Sequence, residues 1–321
     1  MSIGRSPGFT RMCRLILPLV LMSSALAQPD LARGQTAQDQ WLARPVDDQT
    51  FQTYLEFFAY DKHLPFELRV IDVDEQEGVR KEHLSFQSTR GVRVFANFYR
   101  PVAAASRKWP AVILLHGGGP AGKDNPGIKQ LAPLLTRGGW NVLAIDMQFF
   151  GERSTDLLTT FTDPEKHERL YNQPPAYLAW VTQTVKDVSR SLDVLVEQRD
   201  ADSKRIAVIG LSRGAIVASI AAGADRRLAA VALLYGGHFD ALERGHLPAA
   251  CPANYIGRIS PRPLLMINGT RDTDMIKDTS VEPLQRLARQ PKLILWAETG
   301  HQSPTEEHRS AMLRWLQESL K

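Results

Sequence analysis

Cysteine is scarce in this sequence of 321 residues, which contains only Cys13 and Cys251. Two cysteines exclude a small fold held together by several disulfides, so a hydrophobic core has to stabilise the chain. Hydrophobic residues make up 43% of the sequence, and a chain of this length can bury enough of them to form such a core. The composition therefore indicates a globular protein rather than a disulfide-rich scaffold or a disordered chain.

The sequence also has little net charge. Its formal value is +4, and the first 27 residues supply Arg5, Arg11 and Arg14 but no acidic side chain. Beyond residue 27 there remain 36 basic and 35 acidic side chains. A balanced chain gives no electrostatic attraction for nucleic acid or for an anionic membrane surface, so we expect neither as a partner.

Long apolar runs are lacking as well. The apolar run at residues 15–22 is shorter than the roughly 20 residues that span a bilayer. It follows the three arginines and precedes Ala25-Leu26-Ala27, a small-x-small pattern that signal peptidase accepts. We therefore predict that residues 1–27 are a signal peptide, that the mature protein is periplasmic or secreted, and that it keeps no membrane span. An uncleaved anchor is the alternative.

The rest of the chain predicts an N-terminal leader at residues 28–66 and an α/β domain at residues 67–321. Two strand-like runs, Glu82–Ser88 and Val92–Arg100, are separated by Thr89-Arg90-Gly91 and predict an antiparallel hairpin. Short runs rich in Val, Ile and Leu follow and are predicted as strands: Ala111–Leu115, Trp140–Ile145, Arg205–Ile209, Leu228–Leu234, Pro263–Ile267 and Lys292–Trp296.

Helical patterns lie between these strands. Helices are predicted at about residues 128–137, 177–198, 213–222, 281–288 and 304–320. The alternation of strands and helices predicts a mostly parallel sheet with helices on both faces and the antiparallel hairpin at its edge. An insertion at about residues 149–175 interrupts the pattern, and long loops in compact domains are often functional.

The strand predicted at 205–209 runs into Gly210-Leu211-Ser212-Arg213-Gly214 and then into a helix of small residues. A serine at such a strand-to-helix turn projects its hydroxyl above the sheet, and glycines relieve the crowding where strand and helix cross. We interpret Ser212 as a catalytic nucleophile. The alternative is a glycine-rich turn in which Ser212 only caps the helix.

A second glycine-rich stretch, His116-Gly117-Gly118-Gly119-Pro120, follows the strand predicted at 111–115. Acyl transfer needs two N–H donors where the carbonyl oxygen becomes negative, and glycines let the backbone approach that oxygen closely. We predict the main-chain N–H groups of Arg213 and Gly118 as this oxyanion hole, with Gly119 as the next choice.

Two further strand ends carry a carboxylate and an imidazole. Asp272 follows the strand predicted at 263–267, and His301 follows the one at 292–296. The order Ser212, Asp272, His301 is the order expected when successive strands supply nucleophile, acid and base. His301 would accept the serine proton and Asp272 would orient the imidazole. Asp274 is the rival acid and Asp240 a distant third.

The other histidines give weaker signals. His63, His83, His167 and His308 lie in charged stretches and are predicted at the surface, whereas His116 is expected to shape the glycine loop. His238 and His246 lie eight residues apart with Asp240 and Glu243 between them, which is not a recognised metal-ligand spacing, so we predict no metal.

Taken together, these motifs resemble the α/β-hydrolase superfamily over roughly residues 80–320. The likeness is greatest to the dienelactone-hydrolase-like and acetyl-xylan-esterase-like serine carboxylesterases, with the catalytic domain of prolyl-oligopeptidase-type peptidases as a near relative. The blocks 110–117, 202–206 and 261–265 carry it beside the motifs above. Two positions depart from the usual pattern. Arg213 stands where a smaller or uncharged residue is common, and Ala215 stands where a second glycine is common.

The resemblance implies an α/β-hydrolase fold, hydrolysis of a small-molecule ester through an acyl-enzyme, and no cofactor. The alternatives are a peptidase of the prolyl-oligopeptidase type and a non-catalytic binding protein on a hydrolase scaffold. Phe149, Phe150 and Arg153 in the insertion are predicted to bind substrate, and the alternative is a surface insertion that buries its aromatic residues. Arg153 and Arg213 are predicted to favour a carboxylate or a polar sugar. No feature of the sequence indicates an oligomeric state.

Overall fold

One nine-stranded sheet organises the residues that the computed structural model describes, which are 37–102, 108–155 and 161–321. The predicted signal peptide and the first residues of the predicted leader lie outside these ranges. In chain order the strands are β1 Arg69–Gln76, β2 Val79–Thr89, β3 Val92–Pro101, β4 Trp109–Leu115, β5 Asn141–Ile145, β6 Ala201–Leu211, β7 Ala230–Leu234, β8 Leu264–Gly269 and β9 Lys292–Ala297.

The strands lie side by side in the order β1-β2-β3-β5-β4-β6-β7-β8-β9. From β5 to β9 all neighbours are parallel, whereas β1, β2, β3 and β5 pair antiparallel. The mostly parallel sheet and the β2–β3 hairpin are therefore confirmed. The sequence did not reveal β1, because this edge strand is exposed along its whole length and has no buried face to give an alternating pattern.

Helices cover both faces of the sheet. Their bounds are α1 Ala37–Ala43, α2 Asp48–Leu55, α3 Pro126–Arg137, α4 Asp163–Lys166, α5 Pro174–Gln198, α6 Arg213–Ala224, α7 Ala253–Ile256, α8 Glu282–Leu287 and α9 Glu306–Ser319. Short 3₁₀ and π turns join them, among them the π turn His167–Tyr171. Across the described ranges, no helix combines the length and the hydropathy that crossing a bilayer requires.

The core has one layer on each side of the parallel strands, as β4 illustrates. Its residues Ile113 and Leu115 are fully buried and belong to the layer that contains α5 and α6. Its residues Val112 and Leu114 are equally buried in the opposite layer, with α3 and α9. Alternate side chains of a strand point to opposite faces, so a strand covered on both sides has to be apolar throughout.

Part of the predicted leader packs on the α/β domain. Phe51 of α2 and Phe58 are 4% and 7% exposed, and their rings contact the Tyr255 ring at centroid distances of 5.5 and 5.9 Å. The Arg258 guanidinium lies 3.9 Å from the centre of the Phe51 ring and donates to the carbonyl oxygen of Val46. These contacts anchor α2 to the segment around α7.

Replacement of Phe51 by alanine should therefore destabilise the whole domain. We expect Phe51→Ala to lower the free energy of unfolding by about 3 kcal/mol, since it empties a buried aromatic site. Gln52→Ala, at an exposed position of the same helix, is the matched control and should change it by less than about 0.5 kcal/mol. Urea denaturation measures both, and equal stabilities for the two variants would show that α2 is not part of the cooperative unit.

Candidate functional site

Ser212 occupies a strained turn between β6 and α6. Its backbone has φ 50° and ψ −117°, an unusual conformation for a residue with a side chain. A Cβ at Gly210 would lie 2.3 Å from the carbonyl oxygen of Gly214, and one at Gly214 would lie 2.4 Å from that of His116. Both positions therefore require glycine. The Ser212 side chain does not cap α6, unlike in the alternative interpretation of this motif.

The Ser212 hydroxyl is hydrogen-bonded to His301. Its Oγ lies 2.8 Å from His301 Nε2, and His301 Nδ1 lies 2.8 Å from Asp272 Oδ2. The Asp272 carboxylate is fully buried, and its other oxygen accepts the main-chain N–H groups of Asp274 and Met275, each at 2.9 Å. The structure thus brings together the three side chains predicted from three separate strand ends.

The environment favours a basic imidazole at His301. Burial lowers the pKa of His301, but the hydrogen bond and the charge of Asp272 outweigh it and raise that pKa above its ordinary value. The rival acid Asp274 lies on the other side of the ring, with its carboxylate 3.9 Å from Nε2 and 58% exposed. Asp272, rather than Asp274, is therefore placed to orient the imidazole.

The glycine loop after β4 lies beside this turn. A Cβ on Gly117 would be 3.4 Å from the Cβ of Ser212, and one on Gly118 would be 4.0 Å from that of Arg213. His116 fixes the loop, because Nδ1 donates to the Gly117 carbonyl at 2.6 Å while Nε2 accepts from Met147 N–H at 3.1 Å. Burial lowers the pKa of His116 to about 4, which keeps the ring neutral and suits it to one donor and one acceptor role.

A buried carboxylate, Asp146 at the end of β5, holds the far side of the same loop. It accepts the Lys123 main-chain N–H at 2.7 Å, the Lys123 ammonium at 3.0 Å and the Glu152 N–H at 3.1 Å. Gly122 and Gly151 have φ values of +55° and +56°, and a Cβ on either would lie within 2.2 Å of Asp146 Oδ1. This anchor was not predicted, because Gly122 and Gly151 lie 24 and 5 residues from Asp146 and no local pattern of the sequence links them.

Two cavities meet at Ser212. Both are lined by Gly118, Gly119, Ser212 and His301. The larger has a volume of about 570 Å³, and the smaller, about 210 Å³, is further lined by Gly117, Asn125, Leu211, Leu234, Tyr235, Gln302, Ser303 and Pro304. The other residues of the larger cavity are Pro120, Asp163, Lys166, His167, Tyr171, Arg213, Asp240, Ala241, Leu242, Thr273, Asp274 and Met275.

The three residues predicted to bind substrate are not among those that line either cavity. Phe149 is half-buried against the core, and Phe150 is 1% exposed with its ring 5.0 Å from that of His116. Arg153 donates to the buried carboxylate of Asp187 at 2.6 Å and to the carbonyl of Asp146 at 3.0 Å. An aromatic run that follows a buried strand packs beneath the loops here, instead of covering the pocket.

One wall of the larger cavity is built instead by Arg213, Asp240, His167 and Tyr171, which together with the buried Glu243 we call the arginine cluster. The Arg213 guanidinium pairs with both carboxylates and lies 3.9 Å from the centre of the Tyr171 ring. His167 Nε2 lies 2.8 Å from Asp240 Oδ2. His167 is only 8% exposed, so its predicted surface position is wrong: its neighbours Glu168 and Arg169 are exposed, but the His167 ring turns inward to Asp240.

The charges on the cavity wall compensate each other. Burial lowers the pKa of Arg213, but Glu243 and the neighbouring acidic groups outweigh it and raise the pKa well above its ordinary value. Lys166 pairs with Asp163 at 3.2 Å. Within the described ranges, no three His, Cys, Asp or Glu side chains are grouped to hold a metal ion. The wall is therefore polar, and its two fixed cations, Arg213 and Lys166, are both paired with carboxylates.

Comparison with known proteins places the chain in a family. Residues 47–239, which are 193 of its 321 residues, match the acetyl xylan esterase (AXE1) family. Comparison with curated protein sequences gives no significant match.

Solved structures share its fold. Acetyl xylan esterase from Paenibacillus sp. R4 superposes with a TM-score of 0.64 at 16% identity, over 88% of this chain and 99% of that one. Acetyl xylan esterase 1 from Thermoanaerobacterium sp. gives 0.68 at 15% identity, over 88% and 98%. A putative dienelactone hydrolase from Klebsiella pneumoniae gives 0.55 at 20% identity, over 71% and 94%. The chain belongs to the acetyl xylan esterase family, and is a carboxylesterase-type hydrolase with the α/β-hydrolase fold.

Proposed function

We propose that the protein hydrolyses carboxylic esters through an acyl-enzyme on Ser212, with His301 as general base and Asp272 as the residue that orients it. The observation that carries this proposal is the continuous chain from Ser212 Oγ through both nitrogens of His301 to Asp272, with both hydrogen bonds at 2.8 Å. An imidazole held in this way can take the proton of a hydroxyl as that hydroxyl attacks.

In the first step Ser212 Oγ bonds to the ester carbonyl carbon while His301 Nε2 takes its proton. The carbonyl oxygen becomes negative and is stabilised by the main-chain N–H groups of Gly118 and Arg213, at the N-terminus of α6. The C–O bond then breaks, and His301 returns the proton to the departing alcohol. In the second half, water attacks the acyl carbon and gives a proton to His301, the bond from that carbon to Ser212 Oγ breaks, and His301 returns the proton to Oγ as the acid is released.

The cavities favour a neutral, polar ester with a short acyl group. The smaller cavity has room for an acyl group of a few carbons, and the larger, lined by hydroxyl and charged side chains, suits a polyol. The guanidinium groups of Arg153 and Arg213 are each paired with carboxylates, so they offer no cation to an acidic ester. Together with the family assignment, this supports acetyl esters of sugar hydroxyls as substrates.

The two alternative functions considered from the sequence are distinguished by the experiment described below. A peptidase of the prolyl-oligopeptidase type would use the same side chains on an amide. A non-catalytic binding protein would not need the buried partner of His301, since only acid–base work requires an oriented imidazole.

Ser212→Ala is the decisive variant. We expect the wild-type protein to react with a fluorophosphonate probe and to hydrolyse p-nitrophenyl acetate, and the variant to lose both, with kcat lower by a factor of about 10⁴ or more. An aminoacyl anilide should be cleaved far more slowly than the ester. A panel of esters that varies the acyl length and includes acetylated sugars and acidic esters tests the substrate class.

Ser219→Ala, at a buried serine of the same helix, is the matched control and should keep the activity. Absence of probe labelling in the wild type would favour the binding protein. Faster cleavage of the anilide than of the ester would favour the peptidase.

The pH dependence should follow His301. Because only the neutral imidazole accepts a proton and its pKa is raised, kcat/KM should fall with decreasing pH through a value above 6.5. Asp272→Asn removes the anion that raises this pKa, so the fall in kcat/KM should move to lower pH, while kcat drops by a factor of roughly 10⁴. Asp274→Asn is the control, and we expect kcat within about tenfold of the wild type. If the two variants exchanged these phenotypes, Asp274 would be the acid.

We also propose that the protein is exported to the periplasm or secreted, on the strength of the arginines, the apolar run and Ala25-Leu26-Ala27 at its N-terminus. N-terminal sequencing of the protein from a secretion-competent host should find Gln28 as the first residue. A mature chain that still begins upstream of the apolar run would contradict cleavage at this site.

A further inference from the structure

Both ring nitrogens of His167 face hydrogen-bond acceptors. Nδ1 lies 2.7 Å from the main-chain carbonyl oxygen of Asp163, and Nε2 lies 3.0 and 2.8 Å from the two carboxylate oxygens of Asp240. A carbonyl oxygen and an ionised carboxylate only accept. A neutral imidazole carries one N–H, so it would leave one lone pair facing an oxygen. Only the imidazolium satisfies both contacts.

The charged groups around His167 support this state. Its own segment contributes Asp163 and Lys166, which pair with each other. The loop after β7 contributes Asp240 and Glu243, which share Arg213 of α6, and burial raises the pKa of Glu243 to about 7. The Tyr171 ring contacts the His167 ring at a centroid distance of 5.0 Å. Burial lowers the pKa of His167, but the hydrogen bonds to Asp240 and Asp163 outweigh it, so the pKa is raised despite the opposing charge of Arg213.

His167 connects the cavity wall to the nucleophile. It begins the π turn that follows α4, and four residues of this segment, Asp163, Lys166, His167 and Tyr171, line the larger cavity. From His167 the contacts continue through Asp240 to the guanidinium of Arg213, the residue directly after Ser212. The wall and the turn are thus joined by two consecutive charge-assisted hydrogen bonds.

We propose that His167 is a positioning residue which, as an imidazolium, holds the segment 163–171 on Asp240, and that loss of its proton releases this wall of the cavity and weakens substrate binding. The inference rests on the proposed esterase function, because it assigns a role within that site. It does not require His167 to touch the reacting atoms.

The direction of the pH effect follows from the protonation state in which His167 makes both hydrogen bonds. The contact is complete when His167 is protonated, at pH values below about 6.5. It is lost as the pH rises through the raised pKa of the folded protein. Deprotonation should therefore raise KM on the alkaline side and leave kcat nearly unchanged, whereas His301 controls kcat on the acid side. The two histidines thus act on different kinetic constants.

The experiment measures kcat and KM of the full-length protein for p-nitrophenyl acetate and for an acetylated sugar between about pH 6 and about pH 9. The wild-type KM should rise about tenfold over this range, the size expected for the loss of one charge-assisted hydrogen bond. His167→Arg, which stays charged, should keep a low KM throughout. His167→Gln, which is never charged, should have the high KM at every pH. His63→Gln, at an exposed histidine, should follow the wild type.

A measurement on the wild type covers the case in which these variants fail to fold. Imidazole ¹⁵N chemical shifts should show His167 with two N–H groups at pH values up to and slightly above about 6.5. A wild-type KM that is independent of pH, an unchanged alkaline rise in His167→Arg, or a neutral His167 at pH 6.5 would each overturn the inference. Full activity of Ser212→Ala would instead overturn the proposed function, and the ¹⁵N shifts would still decide the state of His167.

Discussion

The site depends on one strained residue, Ser212, with φ 50° and ψ −117°. A conformation of this kind costs on the order of 1–3 kcal/mol and persists only where the surroundings fix it. Here its N–H bonds to the Leu234 carbonyl of β7 at 2.8 Å, and α6, which follows directly, is buried along almost its whole length. The packing of α6 between its neighbours therefore stabilises the geometry that aims the hydroxyl at His301.

Buried charge flanks this turn on both sides. Asp146 holds the glycine loop through main-chain N–H groups and Lys123, while Asp240 and Glu243 hold Arg213. Buried ion pairs contribute little net stability, because desolvation offsets much of the attraction, but removing one partner leaves a costly isolated charge. Such pairs fix the relative positions of loops, and both pairs act on segments that border Ser212. We take positioning, rather than stability, to be their role.

The sequence predicted what local chemistry determines. Apolar strands, the helix with the stripe through Trp180 and Leu192, and the elbow around Ser212 carry their pattern within a few residues, and the structure agrees with each. The predicted strand ends also placed Asp272 and His301 correctly, at the carboxyl ends of β8 and β9, on the same side of the sheet as Ser212. The exposed strand β1 had no pattern to detect, since it buries no face.

Contacts between side chains that are distant in the sequence could not be predicted. Phe150 and Arg153 looked suited to a pocket, but each contacts a residue far away in sequence, Trp180 and Asp187 respectively. His167 looked like a surface residue until the loop after β7 placed Asp240 against it. Burial of a polar residue depends on its hydrogen-bond or ion-pair partner, and adjacent residues in the sequence do not identify that partner.

The unusual arginine at position 213 also depends on partners that are distant in the sequence. A cation directly after the nucleophile would be expensive to bury alone, so an arginine there requires nearby carboxylates. Asp240 and Glu243 satisfy it from one loop, and the face of Tyr171 covers the guanidinium. Two carboxylates on one arginine leave room for a second cation, and His167 occupies that place beside Asp240. Replacing Arg213 alone would leave Asp240 and Glu243 buried without the cation that they share, so the arginine and its two acids form one unit.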